Sequence, residues 1–240
     1  MNRNPLSIAI LTATCLAPGL AGADWKGEAE LGYVKTGGNT DTASLNAKAK
    51  AEQELDKWRN ALAIEALNNS TDGLTTAERY FASGQSNYKF SERGYFFGFL
   101  GYEADRFSGY DYRATLNVGY GHRVVQNDAV TLDLEIAPGA RQSKIQVTDT
   151  TEDEFTVRGT FKLLWNVSKT AKFTEDLTTE VGDKEKGGTV TRSVTALTAQ
   201  VAGNLHTKIS YTMRHSSVVP AGKKKVDDEV AIALLYSFGK

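Results

Sequence analysis

From Asp24 onward the chain alternates apolar and polar residues with a period of two, and nowhere carries an apolar run near the roughly 20 residues of a membrane helix. In Tyr112, Ala114, Leu116, Val118 and Tyr120 one face is apolar, while Arg113, Thr115, Asn117 and Gly119 form the other. Val130, Leu132, Leu134 and Ile136 alternate in the same way with Thr131, Asp133 and Glu135. The pattern returns near the end in Val230, Ile232, Leu234, Tyr236 and Phe238. Successive side chains of a β-strand point to opposite faces, so these stretches are strands and the chain is all-β.

About 12 such segments follow one another, near 25–36, 42–54, 58–69, 75–90, 94–107, 111–124, 129–142, 153–167, 171–183, 189–204, 207–217 and 226–239. Residues 47–52, Ala-Lys-Ala-Lys-Ala-Glu, have the composition of a helix, and only their alternation argues for a strand. Connections after even-numbered segments are tight, as at Leu55-Asp56-Lys57 and Leu205-His206. Those after odd-numbered segments are mostly longer and more polar, as at Gly37 to Asp41, Asn69 to Leu74, Ile145 to Glu152, Gly182 to Gly188 and Val218 to Lys225. Short turns on one rim and long loops on the other are the pattern of an outer-membrane barrel with both termini on the periplasmic side.

Alternation alone does not say which face is wet, and a soluble lipocalin-like barrel would put the apolar face inside. Segment length, ten residues or more, suits a tilted membrane crossing. Trp25, Tyr33, Trp58, Tyr88, Tyr95, Tyr112, Tyr120, Trp165, Tyr211, Tyr236 and Phe238 gather near segment ends, as interfacial girdles do. The opposite face is too charged to be dry. The reading is therefore a closed antiparallel transmembrane β-barrel of about 12 strands, with the first segment, Trp25 to Lys35, paired to the last, Val226 to Phe238, because an open edge in hydrocarbon leaves backbone groups unpaired. Glu175 is a misfit, since it shares the lipid-facing parity of Phe173 and Leu177; a bulge or altered register is expected there.

Ahead of the barrel, Arg3, the apolar stretch Leu6 to Ala17 and the small residues Ala21-Gly22-Ala23 compose a signal peptide over residues 1–23, leaving 24–240 as the barrel domain. Cys15, the one cysteine, lies inside that apolar stretch, so the mature chain has no thiol for catalysis, disulfides or metal. Thr14 before Cys15 fits a lipoprotein signal badly. With 28 Lys plus Arg against 29 Asp plus Glu, the charge balance argues against a nucleic-acid partner.

By parity the inward face carries both signs of charge. The candidate lumen-lining residues are Glu103, Asp105, Arg113, Arg123, Asp133, Glu135, Arg158 and Lys162, accompanied by Glu28, Glu30, Lys48, Glu65, Arg79, Asp176, Glu180, Arg192, Lys208 and Arg214. Glu103, Asp105 and Arg113 lie on adjacent segments and suit an ion-pair cluster. Two readings stand side by side: a hydrated lumen that passes small solutes, or opposed ions that pair across the barrel and hold it shut. Twelve strands lie between the eight that fill with side chains and the 16 to 18 that leave an open channel.

Two stretches resemble a known family. Leu31-Gly32-Tyr33-Val34-Lys35-Thr36-Gly37-Gly38-Asn39-Thr40 and Tyr102-Glu103-Ala104-Asp105-Arg106-Phe107-Ser108-Gly109-Tyr110-Asp111-Tyr112-Arg113, followed by Gly119-Tyr120-Gly121, are similar to the salt-induced outer membrane protein family, the YdiY-like domain of unknown function 481. The resemblance covers nearly all of the mature chain. It implies an outer-membrane barrel of Gram-negative bacteria, expression linked to salt or acid stress, and no catalytic residues. Unlike many such barrels, this chain ends not on the aromatic Phe238 but on Gly239-Lys240, which bears on recognition by the barrel-insertion machinery.

Catalysis has little to work with. His206 falls in a tight turn and His122 near the short-turn rim; His215, beside Ser216 and Ser217, has the one tolerable position, without a hydrolase signature around it. No histidine pair has metal-ligand spacing. The acidic stretch Asp149 to Glu154 suggests either a cation shared with lipopolysaccharide or a solvated charge run, and Lys223-Lys224-Lys225 either a contact to lipid phosphate or solvation. The expectation is a non-enzymatic, porin-like pore without cofactor or metal, whose partners are outer-membrane lipid, lipopolysaccharide, the insertion machinery and small solutes or ions. Its alternative is a closed structural or surface-binding barrel.

Overall fold

A computed structural model describes residues 25–36, 42–219 and 222–239; the expected signal peptide and the loop 37–41 lie outside the described residues. Twelve strands make the wall: β1 (Trp25–Thr36), β2 (Thr42–Glu54), β3 (Trp58–Thr71), β4 (Leu74–Lys89), β5 (Gly94–Asp105), β6 (Tyr110–Gln126), β7 (Val130–Ile145), β8 (Thr151–Asn166), β9 (Ala171–Val181), β10 (Thr189–Ala202), β11 (Leu205–Ser216) and β12 (Val226–Phe238). Each pairs antiparallel with its neighbours in sequence, and β1 closes on β12 in a register running from Gly27↔Phe238 to Leu31↔Leu234. Closure leaves no edge to be satisfied by solvent. The helix-like composition of β2 is overridden by its register, where Lys48 stands between Glu30 on β1 and Glu65 on β3 and opposite charges face each other across the ladder.

The outer face is apolar and uncovered. Leu100, Val118, Ile136 and Ile232 are each about 60% exposed, which is tolerable in acyl chains and costly in water. Rings cluster at the two rims. Trp58 lies 5.2 Å from Tyr88, Phe90 4.9 Å from Phe96 and Trp165 6.5 Å from Phe173 on the short-turn rim, while Tyr102 stacks on Tyr112 at 5.7 Å toward the other. Apolar belt and aromatic girdles together make this a transmembrane barrel.

Three expectations are corrected. Asn69 to Leu74 is not a long loop: β3 and β4 run on to Thr71 and from Leu74, and Asp72-Gly73, with φ of 49° and 76°, makes a tight turn whose twist matches a hairpin. Tyr95 is not a girdle residue but lies 3% exposed inside the barrel. Segment nine holds no bulge: β9 pairs in unbroken register with β8 and β10. Glu175 does point outward, and its carboxylate accepts hydrogen bonds from Ser193 Oγ (2.7 Å) and Thr195 Oγ1 (2.5 Å) on β10. Neighbouring hydroxyls, rather than a shift in register, accommodate the charge.

Candidate functional site

The inner face is a lattice of charges that joins opposite walls. Toward the short-turn rim, Asp133 on β7 accepts from Arg123 Nε and Nη2 on β6 (2.8 and 3.0 Å) and lies 3.4 Å from Arg59 on β3. Glu135, two residues on, accepts from Lys162 on β8 (3.1 Å), Gln85 on β4 (2.8 Å) and the hydroxyl of Tyr95 on β5 (2.9 Å). Deeper in, Glu65 on β3 receives Arg192 from β10, and Glu103 on β5 meets Arg214 on β11 at 3.1 Å; β5 and β11 are diametrically opposed in the ring. Arg79 stands between, 3.8 Å from both Glu65 and Glu103. Lys208 reaches Glu30 at 2.7 Å, and Lys172 bonds Glu28.

Aromatic rings fill the remaining width. Tyr95, Phe97 and Phe99 alternate inward along β5 and pack with Ala137 and Phe81. Gly121 opposes Tyr95 in the ladder, and a Cβ there would lie 2.3 Å from the Tyr95 ring, so the missing side chain is the space the ring occupies. Cations cap the shelf: Arg158 sits 3.8 Å from the centre of the Phe99 ring and Arg59 4.9 Å from that of Tyr95.

At the long-loop end, Arg141 is almost wholly buried. Its Nε donates to Glu154 (2.8 Å), Nη1 to Glu180 (3.1 Å) and Nη2 to the carbonyl of Gly188 (2.8 Å). Glu154 Oε2 accepts in turn from the backbone N–H of Asp183 (2.9 Å), so one arginine and its carboxylate fasten both ends of the loop 182–188 to the wall.

Between these tiers lies a cavity of about 310 Å³. Of the sequence candidates, Glu103, Arg113, Arg158 and Lys162 line it, whereas Arg123, Asp133 and Glu135 belong to the short-turn tier. The expected cluster of Glu103, Asp105 and Arg113 does not form. Glu103 and Arg113 face each other in register, but Glu103 turns to Arg214 and Arg79, and the Arg113 guanidinium sits over Tyr110, 3.9 Å from the ring centre. Asp105 accepts from the N–H groups of Phe107 (2.9 Å) and Ser108 (3.1 Å) and shapes the β5–β6 turn. Sequence reasoning did not single out Arg141 or the inward rings, although Tyr95, Phe97 and Phe99 share the parity of Glu103.

The other candidates find ordinary partners. His122 Nδ1 bonds the Tyr120 hydroxyl (3.0 Å), and His206 Nδ1 lies 3.1 Å from the Asn204 carbonyl. His215 stands in register between Thr191 and Val226. In the acidic stretch, Asp149 pairs with Lys144 at 2.8 Å, a bond that holds its carboxyl below the usual range, and Glu154 is buried with Arg141. Among the described residues no group of three potential ligands could hold a metal ion. Lys223 and Lys224 line a small cavity at the long-loop mouth with Asp105 and Asp227.

A closed twelve-strand ring, a lipid-facing apolar belt and a charged interior define an outer-membrane β-barrel. The chain belongs to the family described as Protein of unknown function, DUF481, whose profile matches residues 29–238. It is 25% identical over 221 residues to the uncharacterized protein YdiY of Escherichia coli (strain K12), covering 92% of this chain and 86% of that one. Among solved structures it is similar to the NanC porin, with a TM-score of 0.54 at 10% identity over 88% of this chain and 98% of that one. An outer membrane channel from Pseudomonas putida F1 also gives a TM-score of 0.54, at 8% identity over 89% and 95% of the two chains. At such identities the likeness is one of fold.

Proposed function

We propose that the protein is a narrow passive pore for small solutes or ions, held shut at rest by side chains that pair across its lumen. The observation that carries this reading is the interior cavity of about 310 Å³ walled by ionised groups, with every obstruction made of side chains. All described elements are strands of the wall, so no described helix or strand plugs the lumen. A side chain clears a path by changing rotamer, whereas a barrel serving only as a scaffold gains nothing from a charged cavity. Added salt screens the more exposed pairs, which is the physical route by which ionic strength would bias opening. No step of bond chemistry is involved.

Planar-bilayer recording of the purified barrel tests the proposal. Discrete conductance steps, rising when Arg192 or Arg214 is shortened, are expected. Silence in every salt and at every voltage, in the parent and in both variants, would favour the rival reading of a closed structural barrel, for which the density of buried ion pairs speaks.

A further inference from the structure

Hydrogen bonding inside the barrel is unevenly satisfied. On the wall made by β6–β8, Asn117, Ser143, Thr156, Arg158 and Thr160 each bury a polar side-chain atom that has no partner among the described residues. Elsewhere in the lumen such atoms occur on Glu30, Asn46 and Arg79, and each of those residues is already engaged through another atom. Buried polar groups are costly to leave unmet, and of these five side chains Arg158 is the one that lines the central cavity, its Nε without a partner and its guanidinium over the Phe99 ring.

The cavity beside this wall has an unbalanced charge. Among its lining residues, Arg141 is committed to Glu154 and Glu180, Arg192 to Glu65, Lys162 to Glu135, and Glu103 to Arg214. What remains outside any ion pair is Lys50, Arg113 and Arg158 against Glu52 and Asp176, three cations to two anions, or one positive charge in excess. Arg113 and Arg158 are also pre-positioned. Their guanidinium carbons sit over the Tyr110 and Phe99 rings, 3.9 and 3.8 Å from the ring centres, and neither group is spent on an ion pair; a guanidinium grips a carboxylate through two parallel bonds. Hydroxyls of Ser83, Thr115 and Thr178 line the same space. The volume lies at the lower end of the roughly 300–1,000 Å³ of small-molecule sites.

From this we infer that the cavity is a binding site for a small monoanionic carboxylate bearing hydroxyl groups. A guanidinium takes the carboxylate, the Ser83, Thr115 and Thr178 hydroxyls and the Glu52 and Asp176 carboxylates take the ligand's hydroxyls, and those same two carboxylates repel a dianion. The inference rests on the pore reading for the ligand's route of entry.

Equilibrium dialysis of radiolabelled gluconate against the full barrel in non-ionic detergent is the direct test, with folding of every variant checked by heat-dependent migration on a gel. Saturable binding is expected, weakened at least about tenfold in Arg113→Gln and in the double variant with Arg158→Gln. Arg113→Lys, which keeps the charge and loses the paired bond, should fall between. Sorbitol, the uncharged polyol of the same chain length, and sulfate should compete poorly. No binding, equal binding by the parent and the folded Arg113→Gln variant, or equal competition by sorbitol or sulfate would overturn the site. Bilayer recording separates the two proposals: gluconate binding without any conductance removes the pore and leaves the site, and conductance without binding does the reverse.

Discussion

Arg192 on β10 spans the lumen to Glu65 on β3, its Nη2 lying 2.8 and 2.9 Å from the two carboxylate oxygens. Glu65 is almost fully buried, and Arg79 and Lys48 flank it, so several cations converge on one carboxylate in a site with little water. Removing one partner of such a pair leaves the rest of the charge uncompensated, which costs about 3–5 kcal/mol. Arg79 recovers part of that. Arg192→Ala is therefore expected to lower the unfolding free energy by about 2–3 kcal/mol in a urea titration of the liposome-embedded barrel. It should also raise single-channel conductance. Lower stability with unchanged conductance would assign this pair to structure alone.

The Tyr95 ring lies over Gly121, and its hydroxyl holds Glu135. Gly121→Val puts a branched side chain where the ring now lies. Tyr95 must swing away, so the overpacking costs about 1–3 kcal/mol and the lost bond to Glu135 adds to it, making this the more destabilised of the two variants. Tyr95→Phe keeps the packing and loses one charge-assisted bond, about 1.5–3 kcal/mol less the rebonding of Glu135 to Lys162 and Gln85. Urea midpoints of the two variants check the comparison, and a neutral Gly121→Val would show that the ring has room elsewhere.

Strands, closure and face were legible because lipid and water enforce a strict period of two, which a few ambiguous residues such as Ala47 to Glu52 cannot obscure. What was hidden is long-range. Parity places Glu103 and Arg214 inside the barrel, but they are 111 residues apart, and nothing local tells that Glu103 prefers Arg214 to Arg113, which faces it in the ladder. The inward rings carried a signal that the expectation of a polar lumen masked, since Phe97 and Phe99 alternate with Phe96 and Leu100 on a strand apolar on both faces. Asp72-Gly73 alone reads as a hairpin turn; beside the polar Asn68, Asn69, Ser70 and Thr71 it reads as part of a loop, although the rim of a barrel strand beyond the bilayer is polar too.

Arg141 fastens the loop 182–188 through Glu154, Glu180 and the Gly188 carbonyl. Arg141→Ala leaves two buried carboxylates side by side without their cation. Hydrogen exchange at Asp183 and Gly188 should accelerate by at least about tenfold, corresponding to about 1.4 kcal/mol of local opening, while exchange in β2 and β3 on the far wall stays unchanged. Adding Glu154→Gln to Arg141→Ala relieves the charge repulsion and should restore part of the protection. Uniform acceleration through the whole barrel would mean that Arg141 supports the wall rather than the loop.

Glu175 faces lipid two residues from Phe173, the girdle ring that meets Trp165, so its carboxylate sits just inside the apolar belt. Ser193 and Thr195 donate to it, and the nearby Thr179 and Thr191 hydroxyls bond each other at 3.2 Å, making a polar island on a face that elsewhere carries Phe161, Leu163, Leu177 and Leu197. Acidic residues on the lipid face cost less than Arg or Lys, and least near the interface. Glu175→Leu removes the charge, and the two hydroxyls can turn to nearby backbone carbonyls. The variant is expected to be more stable by about 1 kcal/mol in liposomes, read as a higher urea midpoint with an unchanged slope. A lower midpoint would show instead that the carboxylate knits β9 to β10, and Glu175→Gln, which keeps one acceptor oxygen, would then retain most of the parent stability.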